Sequence, residues 1–380
     1  MYYIVFLIGI ILSTLYRKKK ISFKMFAVIL ALVSFFRFGV GADYFSYNYL
    51  YSRLNESLII EARNGLDSQE ILFRVMGSAF KGLGLSYQQY IIILAAINLY
   101  FIYKICRRYS KNPTQSLLVY YCFYYFVWTF SGLRQGLTIS IGVYYLLECL
   151  ETENVKKIIL ISVLLSFIHT SAIILIPLYF GARINYDRKS LIILSLIAII
   201  ISILPIGNIL AKFSWLPFIG KLRPYLNHHF SLVNILDFQS LGRLIFLVII
   251  IFYYEVYAGI DDISKKIVNI YILSLILYFL LKFSELTAAR ISIYGVILNI
   301  IILPNLYYMH KTKFDKLLYI TLLGILCTLY FNKELYTLTQ QSGLKNNSIL
   351  VPYTNIFNKD EYSFKNRYYL ELQKRGGNRK

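Results

Sequence analysis

A chain of 380 residues that is 58% hydrophobic, 17% aromatic and only 16% charged is poorer in charge than soluble domains, which carry about 25%. Its apolar residues fall in runs such as Leu191–Ile203 and Leu244–Phe252, within windows that approach the ~20 residues that cross a bilayer, so a soluble protein is excluded and an all-α polytopic membrane protein is expected. The net charge of +21 reads as lysine and arginine on cytoplasmic loops and near anionic lipid head groups, with no nucleic-acid partner.

Apolar windows place membrane segments near 2–16, 22–37, 88–105, 115–130, 132–150, 158–180, 191–211, 242–258, 267–282, 291–308 and 317–330, about 11–12 spans in all. The first is no signal peptide, because Arg17-Lys18-Lys19-Lys20 follows the apolar run instead of preceding it. The basic loops at Arg17–Lys24 and Lys104–Lys111 belong to the cytoplasm. That assignment puts the connection 39–87 and the turn Ser131–Gly136 outside. Bending the 158–180 segment back near His169 returns the basic loops Arg183–Lys189 and Lys311–Lys316 to the cytoplasm. Residues 1–330 read as a single transmembrane domain and 331–380 as a polar, basic tail. Within the external connection, Asp67 and Glu70 suit a helix start, and Ile71, Leu72, Val75, Met76, Ala79, Phe80 and Leu83 make one apolar face. The pattern predicts an amphipathic helix over about 68–84, with Glu70 and Arg74 spaced to pair.

Some chemistry is missing. There is no GxxxxGK[ST] loop, no DxD pair and no HExxH, and the four cysteines lack CxxC spacing, so no cofactor, metal or nucleotide is expected and the cysteines read as buried fillers. What remains are ionisable residues at the outer boundary, which are costly unless paired or functional. In the first cluster, Arg37 and Asp43 flank Gly39 and Gly41, with Tyr44 and Tyr47 following. It is either a clamp that ends a helix or an anion contact beside a polar contact or base in an outward cavity. Arg134 opens a membrane helix, where free N–H groups and a guanidinium fork favour phosphate. His169 interrupts an apolar run behind Ser162 and Ser166 and is a candidate proton acceptor. Arg223, Arg290 and Glu285 complete the set; His228 and His229 read as interfacial.

Arg37…Gly41-x-Asp43-Tyr44-x-x-Tyr47, the Glu70 helix, Ser131–Arg134-Gln135, Phe167-x-His169-x-Ser171 and Val351-Pro352-Tyr353 occur in that order. Together they resemble the EpsG-like branch of the Wzy-type polysaccharide polymerases. The resemblance implies a GT-C-related helical bundle. The implied activity is a glycosyltransferase of the bacterial cytoplasmic membrane, independent of metal and nucleotide, that joins undecaprenyl-pyrophosphate-linked oligosaccharides into exopolysaccharide, capsule or O-antigen. It implies Arg134, His169 and Asp43 as catalytic residues. Arg37, Arg223, Arg290, Glu70 and Tyr44 would bind substrate, with membrane lipids and a chain-length regulator as candidate partners. A ligase adding a single unit, or a flippase of the same lipid-linked sugars, uses similar residues. A flippase would be expected to carry internal repeats, and none is visible.

Overall fold

In the computed structural model, residues 1–14, 19–64, 69–216, 237–342 and 353–359 are described. The regular elements of these residues are all helices, joined by turns and short connections, apart from one isolated bridge, and where they are described the eleven apolar windows fall mainly on helix. Among them, Tyr87–Tyr109, Asp262–Leu280 and Lys313–Thr339 are each long and apolar enough to cross a bilayer. Glu285–Val296 and Asn299–Met309 form a fourth such element, bent by 49°. Several of the other windows are interrupted: the π-helix follows Phe123, a 3-10 turn follows the break at His169, and helices end at Leu204–Pro205 and at Tyr253, in runs that composition alone reads as continuous. The chain is an all-α polytopic membrane protein whose described residues form two compact units.

The first unit comprises Met1–Tyr144, Ser166–Thr170 and Leu303–Lys380. Its helices are α1 (Tyr2–Thr14), α2 (Lys19–Phe36), α3 (Tyr44–Arg53), α4 (Leu58–Asn64), α5 (Ile71–Gly82), α6 (Tyr87–Tyr109), α7 (Pro113–Phe123) and the start of α8 (Leu133–Thr152). A π-helix, Tyr125–Ser131, separates α7 from α8. α7 is buried along its whole length and packs on α1, α2 and the long helix Lys313–Ser342. Aromatic rings fill that core. Tyr121 lies 5.6 Å from Phe331, and Phe6 stacks on Phe331 at 4.8 Å. Two of its buried phenols are satisfied by backbone, Tyr121 donating to the Tyr2 carbonyl (2.9 Å) and Tyr125 to that of Leu30 (2.6 Å), as buried polar groups generally require. Lys313–Ser342 runs well past residue 330, with Phe331, Glu334, Leu335 and Leu338 buried. Tyr353–Lys359 returns to the end of α2. Phe38 N–H donates to Thr354 O (2.9 Å), Ile356 N–H donates to Phe36 O (3.0 Å), and Arg37 and Asn355 form the bridge. Val351 and Pro352 lie outside the described residues.

The second unit, Tyr145–Leu165 and Ser171–Ile302, is built on Asp262–Leu280. Against it pack α10 (Leu175–Ala182), α11 (Arg188–Ile203) and the helices Phe238–Phe252, Tyr254–Ala258 and Glu285–Val296. Close approach is made possible by Gly295, whose missing side chain would fall 2.0 Å from Ser274 Oγ, the small-residue contact expected of membrane helices. Asn269 donates to the carbonyls of Ala182 (3.0 Å) and Ile184 (3.1 Å), closing the end of α10. All four cysteines are buried and free.

Candidate functional site

The site is assembled within the first unit, around the N-terminus of α5. Glu70 holds an extended backbone (φ −64°, ψ 144°) one residue before α5, and its side chain does not cap its own helix. The carboxylate turns outward instead. Oε2 accepts from Arg134 Nη1 at 2.6 Å, while Oε1 accepts from the Thr170 backbone N–H (3.1 Å) and its hydroxyl (3.2 Å). Leu72 N–H donates to the Phe167 carbonyl at 2.9 Å. The first turn of α5 is thereby tied to the break Phe167–Thr170, and one carboxylate joins three segments that are distant in sequence.

The π-helix sets Arg134. Its wider turn closes with Gly132 N–H donating to Val127 O (2.7 Å), and α8 begins at the next residue. Arg134 Nε donates to the Tyr47 hydroxyl (3.3 Å), and the guanidinium lies 5.9 Å from the rings of Tyr47 and Phe73. The Arg134 and Glu70 side chains are 23% and 20% exposed, so the pair is screened from water yet reachable. Burial pushes the Glu70 carboxyl up. Arg134, the backbone N–H groups and His169 outweigh that effect and hold it below the ordinary carboxylate value.

His169 is half-buried where α9 (Val155–Ser166) gives way to a 3-10 turn, Thr170–Ile174, so the apolar segment is interrupted at the expected residue. It is the neighbour of Thr170, and its charge is felt by Glu70. Ser162, in the stripe leading to it, bonds back to the Ile158 carbonyl (2.7 Å).

An outward-facing Arg37 is not what the structure shows. Arg37 is fully buried and donates to the carbonyls of Val40 (2.6 Å), Phe130 (2.8 Å) and Thr129 (3.4 Å), with Phe130's ring 4.6 Å away. The carbonyls of the π-helix end lack helical partners, and a guanidinium with several donors satisfies them in one stroke. Gly41 closes the same junction with φ +115° and a missing Cβ only 2.7 Å from Phe130 O, and the Ala42 N–H donates to Ser131 Oγ (3.0 Å). The first two sequence clusters therefore meet through backbone. Tyr44 also turns inward. It is 2% exposed, and its hydroxyl donates to Gln88 Oε1 (2.9 Å); the tyrosine beside Arg134 is Tyr47. Asp43 is exposed at the start of α3.

The expected Glu70–Arg74 pair is replaced by two others, because Arg74 pairs with buried Glu61 (3.1 Å) while Glu70 takes Arg134. Along α5 the buried residues are Phe73, Gly77 and Ser78, so the expected apolar face, Ile71, Leu72 and Leu83 among it, is left partly or fully exposed. The helix starts at Ile71, and Asp67 lies outside the described residues, as do Arg223, His228 and His229. Arg290 belongs to the second unit and is exposed on Glu285–Val296. In that unit Glu285 pairs with Lys282 (3.2 Å), which is 1% exposed and also meets Asp237 (2.7 Å). Neither Thr170 nor Asn98 is among the residues expected from the sequence. Thr170 follows the His169 break and so had a local signal; Asn98, a lone amide in an apolar helix, had only its polarity. Among the described residues no three His, Cys, Asp or Glu side chains gather closely enough to hold a metal ion.

A membrane-embedded helical protein with an arginine–carboxylate pair at a helix start, half-shielded beside a histidine, has the makings of a site for an anionic amphiphile. The chain matches the EpsG family over residues 20–355 and belongs to that family, a Wzy-type family of polysaccharide polymerases. No curated protein matches it. No solved structure does either.

Proposed function

We propose that this chain joins undecaprenyl-pyrophosphate-linked oligosaccharide repeat units on the outer side of the bacterial cytoplasmic membrane, with Arg134 as the residue that receives the departing pyrophosphate. The observation that carries the reading is the Arg134–Glu70–Thr170 junction beside His169, in a chain of a polymerase family. A guanidinium has five N–H donors, and Glu70 and Tyr47 engage two of them, leaving capacity for a phosphate fork.

In the reaction, the acceptor hydroxyl oxygen of one lipid-linked unit bonds to the anomeric carbon of the donor chain. The bond from that carbon to the pyrophosphate oxygen breaks, and the lipid pyrophosphate leaves with the electron pair. Arg134 stabilises the charge that develops on it. His169 takes the hydroxyl proton, and Glu70, held ionised, favours the imidazolium that results. Asp43, exposed at the start of α3, is the second candidate base. Arg37 holds the loop and the π-helix in register from within. The activated pyrophosphate supplies the driving force, so nucleotide and metal are not required.

The test uses purified protein in lipid vesicles, given a lipid-linked repeat unit, no nucleotide and a chelator. Wild type should give a ladder of products and Arg134→Ala none. A single addition would instead indicate a ligase, and transfer of the unit across the bilayer without growth would indicate a flippase.

A further inference from the structure

We infer that Asn98 is a positioning residue for Arg134, acting through the π-helix that aims the start of α8. Asn98 lies in α6, one of the helices long enough to span the bilayer, and is 3% exposed. A polar side chain there is unfavourable unless it is paired or has a task. All of its bonds run to the stretch that surrounds Arg134. Nδ2–H donates to the Gly136 carbonyl (2.8 Å), and Oδ1 accepts from the hydroxyls of Tyr120 (2.9 Å) and Thr129 (3.3 Å). Those two hydroxyls lie 2.8 Å from one another.

Thr129 precedes Arg134 inside the π-helix and Gly136 follows it in the first turn of α8, so one amide grips both flanks of the arginine. A π-turn inserts an extra residue per turn and is rare without support, and the angle at which it releases the next helix fixes where Arg134 points. Arg37 holds the turn's Thr129 and Phe130 carbonyls; Asn98 holds the Thr129 hydroxyl and the helix beyond. Gly136 permits this, since a Cβ there would fall 1.9 Å from the Trp128 carbonyl. Packing alone would be served by leucine, which shares asparagine's branching at Cγ without its polar atoms. The amide adds orientation, and a guanidinium that must meet charge developing in a transition state is sensitive to small misplacements.

The activity arm of the test rests on the polymerase reading; the spectroscopic arm does not. Full-length protein in lipid nanodiscs would carry Asn98→Leu, Arg134→Lys or both, with rates normalised to folded protein. Asn98→Leu should lower turnover at least tenfold while KM stays within threefold. The double variant should be no worse than Arg134→Lys within threefold, because the amide acts through the arginine. Losses that multiply, or an Asn98→Leu rate within threefold of wild type, would overturn the inference. The chain has two tryptophans, so Trp215→Phe leaves Trp128, inside the π-helix, as a reporter. Asn98→Leu should shift its emission and weaken its response to inorganic pyrophosphate tenfold. If wild type makes no polymer, the polymerase reading fails and this arm decides alone: identical emission and titration in Asn98→Leu would refute the positioning role.

Discussion

Replacing Glu70 with glutamine keeps the size of the side chain and an oxygen for Thr170, but removes the charge that Arg134 meets at 2.6 Å. Exposed ion pairs contribute about 0.2–1 kcal/mol, whereas breaking fully buried ones costs about 3–5 kcal/mol. With side chains 20% and 23% exposed, this pair lies between the limits, and after discounting for screening by water its coupling should be about 1–2 kcal/mol. The measurement is a double-mutant cycle of Glu70→Gln and Arg134→Gln, read by equilibrium unfolding in mixed detergent micelles at pH 7. The pH dependence has a defined sign. Glu70 is held below its ordinary value, so its contribution is fully present above the unfolded carboxylate value of about 4.3 and is lost as pH falls through the lower folded value. Wild type should therefore lose more stability than Glu70→Gln between pH 5 and pH 3, by about the coupling found at pH 7. A coupling below ~0.3 kcal/mol, or one that survives at pH 3, would falsify the assignment of Glu70 as an ionised partner.

Four further outcomes are expected. Arg134→Lys should retain folded protein but lose more than tenfold in polymer formation, because an ammonium cannot reproduce the planar fork; polymer length on a gel reads it. Arg37→Met removes the donors from three carbonyls and should destabilise by about 3 kcal/mol or more, seen as loss of monodisperse protein on size-exclusion chromatography. Gly136→Ala places a methyl 1.9 Å from the Trp128 carbonyl, so the π-helix must shift; a drop of about 1–3 kcal/mol or more is expected, with altered Trp128 emission. In the second unit, Lys282→Met leaves Asp237 and Glu285 without their cation and should lower stability at pH 7 by about 1–3 kcal/mol. Burial raises the Asp237 carboxyl, but Lys282 and Ser240 outweigh it and hold it low. The wild-type advantage should accordingly fade as pH drops below about 4, which unfolding curves at two pH values would register.

The helical architecture was legible because hydrophobic runs carry it directly: among the described residues every apolar window is built mainly of helix. Interruptions were visible only where polarity marked them, as at His169. The π-helix Tyr125–Ser131 was invisible, since an aromatic-rich stretch reads the same at either pitch. Pairing was the least legible layer. Local spacing favours Glu70 with Arg74 four residues on, yet the two part company, Arg74 toward Glu61 and Glu70 toward Arg134. A carboxylate at a helix start faces back along the chain, where tertiary neighbours decide its partner. Arg37 shows the same limit. Its charge suggested a ligand contact, and nothing in the sequence records that two backbone carbonyls of a distant turn, beside that of nearby Val40, need donors. Arg134, by contrast, combines a charge with a helix N-terminus, a conjunction that sequence can display.

The clasp between Phe36–Phe38 and Thr354–Ile356 imposes an order on the protein's birth. Its two segments are more than 300 residues apart; the Thr354 hydroxyl donates to the Phe38 carbonyl across a separation of 316 residues. At translation speeds of about 5–20 residues per second, the stretch around Arg37 waits roughly 15–60 s for its partner to emerge. During that interval the segment that braces the π-helix lacks its cover, so the surroundings of Arg134 mature only after the stretch around Thr354 has emerged. A nascent chain stalled short of this segment would carry the charged site without the fastening beneath it.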